Sequence, residues 1–207
     1  DQGFFVDKSL SMKSAGFTLP TGFGTLGLNM RYFGNSLYHE QKIGLAYGKT
    51  LGKYLAIGVQ LDYFRTFIGN DYGSAQALSF EIGFYSKLSE YLEIGAHIFN
   101  PIGMKLSHNN VEKIPIAFKL GLLYHVSEDL VIAAETEKIL DQKASYKIGL
   151  EYLISKHFQV RTGIASQPIL YTFGMGLLWN QWILDIGTGY HQTLGFTPRV
   201  SLQFNFN

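Results

Sequence analysis

The sequence predicts an all-β protein: a transmembrane antiparallel up-and-down β-barrel of 12–14 strands, with 14 favoured, formed by residues 1–207 as one domain. Three observations predict it. Apolar residues alternate with small or polar ones from end to end, charge is sparse although no run is apolar enough for a helical span, and short turns alternate with longer links.

The alternation is clearest in 54–63, where Leu55, Ile57, Val59, Leu61 and Tyr63 interleave with Ala56, Gly58, Gln60 and Asp62. A period of two puts the first set on one face of a strand and the second on the other, whereas a helix would mix them. Phe80 and Ile82, Leu120 and Leu122, and Ile148 and Leu150 repeat the pattern. These residues, with Leu55, Ile57, Val59 and Leu61, are therefore expected to face lipid. The opposite face is expected to line a lumen, with Arg31, Asp62, Glu81, Lys119, Lys147, Glu151, Arg161 and Asp185 on it. Lys42, Lys87, Glu93, Glu135 and Glu137 fall there too, so both signs are mixed, as charges inside a narrow barrel must be compensated.

Composition agrees. Charged residues are 16% of the chain, against roughly 25% in an ordinary soluble domain. No stretch approaches the roughly 20 apolar residues of a helical span, so if lipid is the solvent only a closed sheet remains. The net charge of +1 and the lack of a basic cluster argue against nucleic acid. Cysteine is absent, which excludes disulfides and thiolate chemistry.

Strands are expected at 11–19, 25–34, 41–49, 54–65, 77–87, 91–99, 116–125, 130–138, 144–154, 158–165, 170–179, 182–190 and 199–206, with a further short one at 3–8. Tight turns at 49–53, 89–90, 127–129, 155–157 and 180–181 contrast with longer links at 33–40, 66–76, 99–115 and 191–198. Short turns belong to the periplasmic rim of such barrels, so the C-terminus is expected there and the longer links outside the cell. Tyr32, Tyr47, Tyr63, Tyr124, Tyr152, Trp179, Trp182 and Tyr190 stand near strand ends as interfacial girdle residues should. A soluble sandwich also alternates, but its outer face would be rich in Lys, Thr and Ser rather than in the glycines found here.

One pattern repeats: Gln41–Tyr47, Phe118–Tyr124 and Tyr146–Tyr152, with Phe80–Tyr85 as a variant. No catalytic chemistry is legible. His39, His97, His108, His125, His157 and His191 lack close ligand spacing, no nucleophile elbow occurs, and the Gly-x-Gly pairs at 174–176 and 187–189 lead into no helix. No enzyme activity, cofactor or metal is expected.

The chain ends in Leu202, Phe204 and Phe206 on alternate positions, which resembles the terminal β-signal read by the barrel-assembly machinery, with Asn207 beyond it. The segments Leu19–Gly27, Gln41–Tyr47, Ile114–Gly121 and His191–Pro198 together resemble the FadL-like outer-membrane barrels of Bacteroidota, the PorV/PorQ-type branch. That resemblance implies fourteen strands, residence in the bacterial outer membrane among lipid and lipopolysaccharide, and an N-terminal segment entering the lumen that residues 1–207 do not display. It also implies an accessory or scaffold role in a larger outer-membrane assembly, with other outer-membrane or periplasmic proteins as partners. The alternative is a FadL-like importer of small hydrophobic molecules.

Overall fold

A computed structural model describes residues 11–69, 73–104 and 114–206. Among them every long regular element is a strand. Thirteen are present: β1 Ser11–Thr21, β2 Gly24–Gly34, β3 Tyr38–Leu51, β4 Leu55–Ile68, β5 Gly73–Lys87, β6 Leu92–Phe99, β7 Ala117–His125, β8 Leu130–Ile139, β9 Ser145–Ser155, β10 Phe158–Ser166, β11 Ile169–Trp179, β12 Trp182–His191 and β13 Gly195–Phe204. They are hydrogen-bonded in chain order in one sheet. The expected strand at 3–8 lies outside the described residues.

The chain divides into two compact units, Asp1–Phe84 with His97–Ala117, and Tyr85–Ala96 with Phe118–Asn207. In the first, β1–β2–β3–β4 pair antiparallel without slippage. The second has β8–β9–β10–β11–β12–β13 in the same arrangement, with one irregularity at Phe158/Gln159.

The short turns form for identifiable reasons. Ser89 and Ser127 each accept backbone N–H groups two and three residues ahead through Oγ, and Ser155 accepts that of His157. Asn180 adopts φ 52° between the paired Trp179 and Trp182, a conformation its short polar side chain tolerates. Three of the expected long links are mostly strand. Asn35 Oδ1 accepts the N–H groups of Leu37 and Tyr38, and His191 Nδ1 accepts those of Thr193 and Leu194. Each side chain thereby closes a tight hairpin where polarity alone suggests an open loop. β4 and β5 likewise run to Ile68 and from Gly73, and β13 begins at Gly195 with Pro198 inside it.

The distribution of polarity is inverted relative to a soluble domain. The largest fully buried side chains are Asn100, Asp62 and Ser79, all polar, while Val59 (54%), Leu120 (57%) and Ile148 (57%) are exposed. Ile57, Leu61, Ile82, Leu122 and Leu150 are exposed as well; Leu55 and Phe80 are half-buried. Water-soluble monomers rarely expose so many large apolar side chains.

Candidate functional site

The polar face of the first unit carries a connected set of charges. Strand alternation places Lys42 of β3, Asp62 of β4, Glu81 of β5 and His97 of β6 on the same face. Lys42 Nζ lies 3.1 Å from an Asp62 oxygen and donates to Glu81 Oε1. Glu81 Oε2 accepts from His97 Nε2 at 2.7 Å. Asp62 is fully buried and also accepts from Gln60 Nε2 at 2.7 Å. Phe64 and Phe99 flank the ammonium, which stands 5.4 and 5.2 Å from their ring centres. Gly44 makes room for this arrangement. It pairs with both Asn29 and Asp62, and a Cβ there would come within 2.7 Å of the side-chain ends of Asn29, Gln60 and Asp62.

Next to this cluster is a cavity of about 300 Å³ lined by Met12, Arg31, Phe33, Glu40, Gln41, Lys42 and Phe64. Arg31 pairs directly with Lys42 across β2 and β3, and among the described residues no carboxylate lies within ion-pairing distance of it. Like charges directly opposite each other oppose pairing. Lys42 is neutralised by its two carboxylates, whereas Arg31 is exposed.

The second unit repeats the theme in a more open form. Lys147 donates to Glu135 at 2.8 Å and to Glu137 at 2.6 Å, and Lys119 approaches Glu137 at 3.4 Å. Arg161 donates to Glu151 and, at 2.6 Å, to Asp185. Gly176, paired with both Gln159 and Asp185, leaves the same kind of space as Gly44; a Cβ there would meet those two side chains at 2.6 and 2.7 Å. His125 hydrogen-bonds Glu93 at 3.0 Å.

Seven of the eight residues expected on the polar face thus enter ion pairs within their own unit, Arg31 being the exception. Sequence reasoning set His97 and His125 aside because it looked for metal spacing; the alternation that carries Glu93 also carries His97 to the same face. It missed Asn100 altogether. This residue is fully buried at φ 52°, and its side chain bonds Ile114 O at 2.8 Å, Met104 N at 2.9 Å and Ser79 Oγ at 3.1 Å.

At the C-terminus Leu202 and Phe204 lie in β13, and Phe206 follows just beyond its end. Phe204 packs on Trp182 at 4.6 Å between ring centres and Phe206 stands edge-on to Phe204 at 4.7 Å.

No protein-family model and no curated protein matches the sequence. Solved structures do match. The chain is similar to the CymD monoaromatic hydrocarbon channel, with a TM-score of 0.69 at 9% identity over 96% of this chain and 86% of that one. It is similar to a Pseudomonas aeruginosa FadL homologue at a TM-score of 0.60 and 10% identity, covering 92% and 74%. It is also similar to the KdgM porin at 0.54 and 14%, covering 86% and 99%. The fold is that of the outer-membrane β-barrels, antiparallel and up-and-down, as the alternation predicts.

Proposed function

We propose that this protein resides in a bacterial outer membrane and admits small apolar molecules through a FadL-like barrel. The observation that carries this reading is the cavity in which Met12, Phe33 and Phe64 gather among Arg31, Glu40, Gln41 and Lys42. It is an apolar recess on a face otherwise given to ion pairs. Its volume of about 300 Å³ is at the small end of ligand pockets and suits a molecule of one ring. The fold likeness to a monoaromatic hydrocarbon channel supports the class, although one fold hosts many functions. In this reading Leu55, Ile57, Val59, Leu61, Phe80, Ile82, Leu120, Leu122, Ile148 and Leu150 face lipid. Arg31, Asp62, Glu81, Lys119, Lys147, Glu151, Arg161 and Asp185 face the lumen.

The test is uptake of a labelled monoaromatic hydrocarbon by cells expressing the protein. Uptake above that of cells lacking the barrel, lowered by Phe64→Asp, is expected; uptake equal to the control overturns the reading.

A second reading, the PorV/PorQ-type accessory subunit, is favoured by the bracing of the polar face. Lys42, Lys147 and Arg161 each bind two carboxylates, and fixed pairs of this kind suit a filled lumen. Its partners would be other outer-membrane or periplasmic proteins, with Leu202, Phe204 and Phe206 read by the assembly machinery. Failed hydrocarbon uptake together with envelope proteins retained through native purification would favour it.

A further inference from the structure

We propose that Lys13 and Arg65 form a binding site for the phosphates of a lipid A headgroup on the lipid-facing side of β1–β4. The proposal rests on the lipid-facing reading of that wall and adds a specific ligand to it.

The argument begins with strand parity. On the polar face of the first unit both signs occur: Arg31, Glu40, Lys42, Asp62 and Glu81. Among the described residues of β1–β4, the charged side chains on the apolar face are Lys13, Lys49 and Arg65, all cations. A charge on a lipid-facing wall is costly at mid-depth and tolerated at the borders. Gln41, in the row of Lys13 and Arg65, and Lys49 lie eight residues apart on β3 (49 − 41). This separation is about 27 Å along a strand, and at a strand tilt of roughly 35–45° it rises about 19–22 Å, most of the roughly 25 Å height of an apolar band. The cations therefore stand toward the two borders of the band.

Lys13 and Arg65 belong to one row. The register runs Lys13↔Tyr32, Tyr32↔Gln41 and Gln41↔Arg65, so the two cations are three strand spacings apart, roughly 14 Å. The adjoining apolar-face row toward the turn rim is Ala15, Met30, Ile43 and Tyr63. On the other side the ring of His39 stacks between Tyr32 and Phe67, at 5.4 and 5.0 Å. Both cations are exposed, and among the described residues neither has a carboxylate within ion-pairing distance. An ammonium and a guanidinium, separated by the polar Gln41 and Tyr32 at the edge of a hydrocarbon wall, match an anionic amphiphile. Its acyl chains would lie on Ile43, Leu45 and Leu61 while its phosphates meet the two cations. A phosphorylated disaccharide lipid carries a phosphate at each end, as a pair of separated cations requires, and guanidinium holds phosphate bidentately. At the other border Lys49 is the one cation on the apolar face among the described residues of β1–β4, and it offers no such pair.

The test uses the full chain purified in detergent, with added lipid A, dephosphorylated lipid A or phosphatidylglycerol as probes and native mass spectrometry as readout. Lipid A should be retained in preference to both others. Lys13→Ala with Arg65→Ala should lower retention about tenfold or more, as loss of two charge-assisted contacts implies. Lys13→Arg with Arg65→Lys, which keeps both charges, should retain it, and heat-modifiable gel mobility checks that each variant folds. Equal retention of lipid A and phosphatidylglycerol, or an unchanged double-alanine variant, overturns the site. The cysteine-free chain allows one label at Leu61→Cys, quenched by brominated lipid if the wall faces the bilayer. Quenching with failed lipid A selectivity sinks the site alone. Absence of quenching sinks the lipid-facing reading and the site together.

Discussion

Lys42 and Lys147 occupy the same place in two copies of one sequence pattern, Gln41–Tyr47 and Tyr146–Tyr152, and both bind two carboxylates. Their settings differ. Lys42 is 17% exposed and its partners Asp62 and Glu81 are 0% and 15% exposed. Lys147 and Glu135 are both 37% exposed. The cause lies in the neighbouring strands. Lys42 pairs with Phe64 of β4, and Phe64 and Phe99 cover the ammonium; Lys147 pairs with Glu135 on one side and the small Ala165 on the other. The repeat thus decides which face a lysine takes, and the strands beside it decide how dry that face is.

The largest effect should come from breaking the dry pair. Lys42→Met leaves Asp62 buried without its cation, which costs about 3–5 kcal/mol in denaturant unfolding from lipid. Lys147→Met should cost about 1 kcal/mol or less, because solvent screens what remains. Equal losses would break the comparison. The apolar wall should show no such asymmetry. Val59→Arg and Leu120→Arg, one in each unit, should each cost about 2–4 kcal/mol if they lie at mid-membrane depth. A large difference between them would place one of the two away from lipid. Of the two glycine recesses, Gly44→Ala should cost about 1–3 kcal/mol and Gly176→Ala less, since Asp62 is enclosed while Asp185 can shift into solvent. The smallest effect is that of salt. At about 1 M, where screening acts within roughly 3 Å, the contribution of Lys147 should vanish and that of Lys42 persist. Repeating both unfolding series at high salt checks this.

The strands were legible in the sequence because a face alternating over ten residues leaves only one periodicity. The faces of Asp62, Glu81, Lys119 and Lys147 followed from the same parity. What alternation could not supply was pairing. Glu81 joins Lys42 and His97 through contacts fixed by how β3, β5 and β6 come together, and no local pattern encodes that. Hairpin closure by Asn35 and His191 was hidden for a related reason. A polar residue that accepts backbone N–H groups looks, in sequence, like one that faces water. The cavity beside Arg31 arises from four strands at once, β1 to β4, and has no sequence signature.

Asn100 suggests a use for this molecule as a carrier. Its amide reaches Met104 and Ile114, and its own backbone N–H donates to Phe80 O at 3.0 Å, so the two ends of the segment between β6 and β7 are fastened to each other and to β5. Foreign peptide grafted between 105 and 113 would meet ends already held together, and the entropic penalty of a longer insert grows only logarithmically with its length. Epitopes or enzyme-cleavable tags placed there should leave the pairing of the flanking strands intact. With Asn100→Ala the same grafts should lower the yield of folded protein, which makes this one side chain the hinge pin of any display scaffold built on the chain.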